Sequence, residues 1–271
     1  MACFCFTCVQ CGTQFAESAA PPKGCPICED ERQYIGWDGQ AWTTTDELRK
    51  THTLRIADEA DGIVGIGAEP DFAIRQRALL LQSPAGNVMW DCQAVVTDEG
   101  IAEIGKRGGL TAIAISHPHF YTSMVEWSEA FGGVPIYLHA DDRQWVMRPS
   151  PLIRHWEGEM LALNAEMTLI RCGGHFPGGQ VLHWGAALGG RGALMSGDIV
   201  MVATDRRWVT FMYSYPNYVP LNRRAVEAIA AKLEPYRFDA IFGAWWDLVV
   251  RADGKAALAR SVARYLKAIA D

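Results

Sequence analysis

Long apolar runs are missing from this chain of 271 residues. No stretch approaches the roughly 18–20 apolar residues needed to cross a bilayer. The N-terminus shows no basic segment followed by an apolar stretch and a small-residue cleavage site, so no signal peptide is read there and a cytoplasmic location is expected. Basic charge is in short supply as well. Twenty-five Lys and Arg stand against 31 Asp and Glu, a net charge of −6, which leaves no cationic surplus to displace counterions from a phosphate backbone. Neither nucleic acid nor a membrane is therefore an expected partner. Beyond residue 28 only Cys92 and Cys172 occur, whereas a secreted disulfide scaffold spreads its cysteines along the chain. Internal repeats and low-complexity segments are absent. The glycine-rich stretch 185–192 lacks the Lys-Ser/Thr pair and following helix of a phosphate loop and reads as a hairpin connection. With 49% apolar and 21% charged residues, the composition is that of a folded protein and excludes wholesale disorder.

What is present begins with cysteine. Cys3, Cys5, Cys8, Cys11, Cys25 and Cys28 crowd the first 28 residues. Cys8-Val9-Gln10-Cys11-Gly12 and Cys25-Pro26-Ile27-Cys28 form two CxxC knuckles separated by 13 residues. Two residues between thiolates let one turn aim both sulfurs at a single ion, and Zn²⁺ favours four such ligands in a closed tetrahedron. Cys5-Phe6-Thr7-Cys8 is also a CxxC, so the register is open; Gly12 and the closer match to the second knuckle favour Cys8 and Cys11. Residues 1–36 resemble a zinc ribbon or rubredoxin-like knuckle pair. The resemblance implies a structural zinc holding a segment with no core of its own. Iron in electron transfer, or a redox-active dithiol, are the alternatives.

Residues 37–60 are polar and aromatic, with Trp37, Trp42 and a helix start at 43–47. They read as a linker packed onto its neighbour, since tryptophans on a free tether would be unusual. From residue 61 to 271 the pattern is α/β. Strands are expected at 78–82 and 87–92 around a turn, then at 111–115, 134–138, 160–172, 181–184, 193–196 and 239–242. Helices are expected from Asp98, over 123–131 and 140–147, around Val226–Leu233, and around Leu258–Ile269. Paired strands followed by alternating strands and helices imply sheets with helices on their outer faces.

Seven histidines are few, and their placement is informative. The strand at 111–115 runs into Ser116-His117-Pro118-His119-Phe120-Tyr121-Thr122, putting two imidazoles at i and i+2 on a strand exit. Gly173-Gly174-His175-Phe176-Pro177-Gly178-Gly179 places a third on a glycine-rich exit, and Met195-Ser196-Gly197-Asp198 adds a carboxylate beyond another apolar strand. Three histidines and one aspartate on strand-end loops form a mixed N/O site suited to zinc, iron or manganese.

In order and separation these motifs resemble the metallo-β-lactamase superfamily over about residues 61–271. The resemblance implies a four-layer αββα sandwich with a metal site at one edge of the paired sheets. It makes His117, His119 and His175 the first-metal histidines and Asp198 the bridging aspartate. The family pattern His-x-His-x-Asp-His is broken, because Tyr121 and Thr122 stand where Asp and His belong. The strand at 239–242 runs into Gly243-Ala244-Trp245-Trp246 with no closing histidine. One metal is therefore expected rather than two; Trp245 and Trp246 read as core or pocket wall, and an indole standing in for the closing histidine would fill the second-metal space.

An ion held by three imidazoles and a carboxylate would acidify a bound water toward a pKa of ~7 and supply hydroxide at neutral pH. The phenol of Tyr121 is expected to assist as a catalytic donor to that water or to an oxyanion. The sequence thus reads as a metal-dependent hydrolase of a small ester, thioester, amide or phosphoester. A catalytically silent binding module and an iron-dependent redox protein are the alternatives. The expected partners are a small-molecule substrate and, through the ribbon as a docking surface, another protein.

Overall fold

The computed structural model describes residues 2–270. Seven strands form a first sheet in chain order, Thr53–Ala60, Ile63–Glu69, Ala78–Leu81, Val88–Trp90, Ala112–Ala114, Ile136–His139 and Ile153–Trp156. The first four pair antiparallel and the remainder parallel. The second sheet holds Met160–Ala162, Met167–Arg171, Gln180–Trp184, Ala193–Gly197, Ala240–Gly243 and Val249–Val250, antiparallel except where Ala193–Gly197 meets Ala240–Gly243. The two-residue period of a strand sorts the apolar side chains. Leu79 and Leu81 enter the core shared with Met167, Leu182 and Phe242 of the second sheet. Ala78 and Leu80 point the other way, toward Ile104 and Trp127 of the helices on the first sheet's outer face.

Those helices are Asp98–Lys106 and Met124–Ala130. The opposite outer face is covered by Arg223–Leu233 and Gly254–Ala268, which bury Val226, Ile229, Leu233 and Leu258 against Ile170, Leu194 and Ile241. Thr97 and Asn222 start two of these helices by accepting from Gly100 N and Ala225 N. The result is the expected α/β, four-layer αββα sandwich. Among the described residues no helix is long and apolar enough to cross a membrane.

Some boundaries differ from expectation. Thr53–Ala60, within the expected linker, is an edge strand of the first sheet, paired along its length with Ile63–Glu69; its alternation is weak because only one side is packed. Trp42–Thr44 pairs with Phe6–Cys8 of the cysteine module, and Thr44 caps the short helix Thr45–Thr51. The expected strand at 160–172 is a hairpin of Met160–Ala162 and Met167–Arg171, turned at Asn164, whose side chain accepts from Glu166 N and Met167 N. The helix expected at 140–147 is a 3-10 segment, Ala140–Trp145.

Candidate metal centre

The parallel strand Ala112–Ala114 delivers Ser116 and His117 to the sheet's edge, and Pro118–Phe120 forms a tight 3-10 turn that brings His119 back beside His117. Asp91 Oδ1 accepts from Ser116 N at 2.7 Å, and Ser116 Oγ lies 2.9 Å from His117 Nδ1. This chain leaves Nε2 of His117 facing inward. His175 follows Gly173 and Gly174, at φ 71° and 84°, a conformation that favours glycine. Its Nδ1 is held 2.7 Å from the Tyr213 carbonyl oxygen, which turns Nε2 inward. Asp198 follows Gly197, at φ 54°; a Cβ there would sit 2.6 Å from Ser116 Oγ. Only glycine lets the two ligand-bearing loops approach so closely.

The four side chains meet. His117 Nε2 and Asp198 Oδ1 are 3.3 Å apart, as are His175 Nε2 and His119 Nδ1. One potential ligand atom from each residue lies within 4.8 Å of all the others. Exposure is 1–3% throughout, and His117 Nε2 and Asp198 Oδ1, both facing inward, have no hydrogen-bond partner. Buried orphan atoms of this kind are expensive unless a cation completes them. Edges of 3.3 Å also suit a tetrahedron with arms of ~2.0–2.1 Å, the zinc–nitrogen distance. Burial, reinforced by the neighbouring imidazoles and Arg32, holds His117 and His119 well below the usual imidazole range, and burial brings His175 down to about 4. Neutral imidazoles are the form that binds metal. Burial first, and then Asp91, pushes the Asp198 carboxyl well up, as expected of a carboxylate without its counter-ion.

The cysteine register is resolved by geometry. Cys8, Cys11, Cys25 and Cys28 converge, with Cys8–Cys28 and Cys11–Cys25 sulfur separations of 3.7 Å. Arms of ~2.3 Å to a tetrahedral zinc require edges of ~3.8 Å. Cys5 lies outside the cluster, half-buried.

Tyr121 is placed differently from expectation. It is 2% exposed in the outer core of the first sheet, with Met124, Val125 and Leu138, and its phenol makes no hydrogen bond to the four side chains among the described residues. The 3-10 turn rotates it off the site. The phenol that does reach the site is Tyr215, unrecognised in the sequence because it lies 17 residues beyond its partner; its hydroxyl donates to the Asp198 carbonyl, and its ring packs 5.6 Å from that of His175. Trp245 donates to the Ile74 carbonyl in the outer core, and Trp246 lies over Gly65 and Gly67 with Arg55 stacked at 4.0 Å. Trp245 is thus part of the core, as expected.

The cysteine module packs against the loop that carries His117 and His119. Gly12, at φ 80°, stands so close to Thr122, Ala94 and Ala73 that a Cβ would meet them at 3.2–3.3 Å. Gln14 N donates to the Thr122 carbonyl. On the other side Arg32, paired with Asp30, lies 3.9 Å over the ring of Phe176 and donates to the His175 carbonyl at 3.4 Å. Ser214 and Asn217 bind the backbone of residues 31–33.

No family model matches the chain. It is 47% identical over 266 residues, 97% of its own length and 96% of the other's, to "Uncharacterized protein YmaE" of Bacillus subtilis (strain 168). Among solved structures it resembles a B3 metallo-β-lactamase with an active-site glutamic acid, at TM-score 0.54, 15% identity, and 83% and 95% coverage of this chain and that one. The metallo-β-lactamase of Cronobacter sakazakii with a HARLDQ motif gives 0.53, 16%, 83% and 96%. DIM-1 metallo-β-lactamase gives 0.57, 13%, 78% and 95%. At such identities the likeness concerns the fold. The chain therefore belongs to the family of YmaE, and it carries a four-cysteine cluster and a three-histidine, one-aspartate cluster on a metallo-β-lactamase fold.

Proposed function

We propose that this protein is a hydrolase of a small ester, thioester, amide or phosphoester, working with one divalent ion held by His117, His119, His175 and Asp198. A structural zinc on Cys8, Cys11, Cys25 and Cys28 completes the reading. The observation that carries it is the convergence of four buried side chains, with His117 Nε2 and Asp198 Oδ1 facing inward without a hydrogen-bond partner. Zinc, iron or manganese all suit such a donor set, and any of them would supply Lewis acidity toward a carbonyl or phosphoryl oxygen and acidify water. The chain's own residues orient the site. Asp91 and Ser116 fix His117, the Tyr213 carbonyl fixes His175, and Tyr215 fixes the Asp198 backbone. Phe176 and Arg32 exclude water from above.

A second reading, a silent binding module, is favoured by one observation: four protein ligands at 1–3% exposure leave a tetrahedral ion no open position. The test is metal analysis and a hydrolase screen on wild type and His119→Ala. Two metals per chain falling to one, with turnover abolished, is the expected outcome. No turnover of esters, thioesters, amides or phosphoesters by the fully loaded protein would remove the hydrolase and leave the binding module.

A further inference from the structure

The cysteine module touches both loops that carry the histidines, and each knuckle serves one of them. Beside the first knuckle, Gly12 packs on Thr122, three residues beyond His119. Beyond the second, Arg32 donates to the His175 carbonyl and stacks on Phe176. The knuckles are joined through the sulfur tetrahedron, where Cys8 faces Cys28 and Cys11 faces Cys25. Besides the ladder of Phe6–Cys8 with Trp42–Thr44, the module's own core is small: the four cysteines, Phe15 and Ile27, with Trp42, Trp145 and Met147 packed against them. An ion at the sulfurs therefore fixes the separation of the two contact points. Without it, each knuckle can leave its loop separately. Beneath these contacts the histidine cluster is 1–3% exposed, so an ion or a substrate reaches it only when the cover moves.

We propose that the four-cysteine module is a metal-locked cover over the histidine site: its ion clamps the cover shut, and loss of that ion opens the site to solvent and to ion exchange. The coupling between the two ions is in the first place one of rate: the cysteine ion governs how fast the histidine site exchanges its own. Arg32 acts as a positioning residue, transmitting the state of the second knuckle to His175 through its backbone carbonyl.

The inference rests on the four side chains being a metal centre, and not on hydrolysis. Its test reads ion release. Cobalt-loaded wild type, Cys25→Ser and Arg32→Gln are challenged with a chelator, and visible absorption separates the thiolate-bound from the imidazole-bound ion. Release from the histidine site should accelerate tenfold or more in both variants, while in Arg32→Gln the thiolate band persists. Hydrogen exchange over residues 115–122 and 173–177 should rise in parallel. It should rise again when a thiol-blocking reagent strips the cysteine ion from wild type, a readout that needs no ion at the histidines. If Cys25→Ser does not fold, Arg32→Gln decides. Folded Arg32→Gln with wild-type release and wild-type exchange would overturn the proposal. Faster release from a protein that hydrolyses nothing would support the cover and dismiss the hydrolase.

Discussion

Tyr215 shows how a single hydroxyl can matter without touching the reacting atoms. Its bond to the Asp198 carbonyl holds the turn after Gly197, and losing such an outer partner typically weakens a metal site about 10–100-fold. Tyr215→Phe should therefore weaken binding at the histidine site by about tenfold and leave the cysteine site unchanged, as competition with a metal-sensitive dye would show. Asp142 offers a pH test. Burial pushes its carboxyl up to about 6, above the ~3.9 of an unfolded chain, so the folded state holds that proton more tightly. The stability it contributes is fully present below pH ~4 and is lost as pH rises through 6. Asp142→Asn keeps an oxygen for Gly178 N and has no charge to bury. Its urea-unfolding free energy should match wild type near pH 4 and exceed it by on the order of 2–3 kcal/mol at pH 8. An unchanged difference across that range would place the loss elsewhere. The residues of the two clusters were legible because their chemistry is local: CxxC, His-x-His and Gly-Asp after apolar strands announce themselves. Tyr215, Asp142 and Arg32 were not, because their partners lie 17 to 143 residues away and nothing in their neighbours' spacing marks them.

Among the elements, the strands and helices with two buried or strongly periodic faces were readable, whereas the edge strand Thr53–Ala60 and the hairpin at Asn164 were not. A half-exposed edge carries little alternation, and a four-residue turn inside an apolar run hides from a pattern built on period alone. That edge strand also anchors the two sheets to each other. Glu59 pairs with the fully buried Arg77, whose guanidinium donates to the Gly243 carbonyl of the second sheet. Removing one partner of a buried pair strands the other charge. Glu59→Ala should cost about 3 kcal/mol or more in calorimetric unfolding. A loss below 1 kcal/mol would mean that water reaches Arg77.

At the scale of the whole molecule, the layered fold followed from the alternation of strands and helices, but where the cysteine module docks did not, since no local pattern encodes a contact between distant surfaces. An ion that binds only the folded chain stabilises it by mass action, by about 2.7 kcal/mol at a hundredfold excess over its Kd; this is expected in full of the histidine site and in smaller measure of the cysteine site, which can take its ion before the rest has folded. Chelator-treated protein should melt several degrees lower and recover on adding zinc, in two separable steps if the sites differ in affinity. Identical melting with and without chelator would deny both sites a part in stability. The cover has a further consequence for synthesis. Cys8 to Cys28 leave the ribosome before the surfaces the module caps, at Thr122, His175 and Asn217, the last of them 186 residues after Glu31. The cysteine ion can bind while translation continues; the cover can settle only near its end. On the proposal of a metal-locked cover, the interval between is a loading window, in which the histidine centre is assembled under an open roof, and the order of synthesis would set the order in which two ions are acquired.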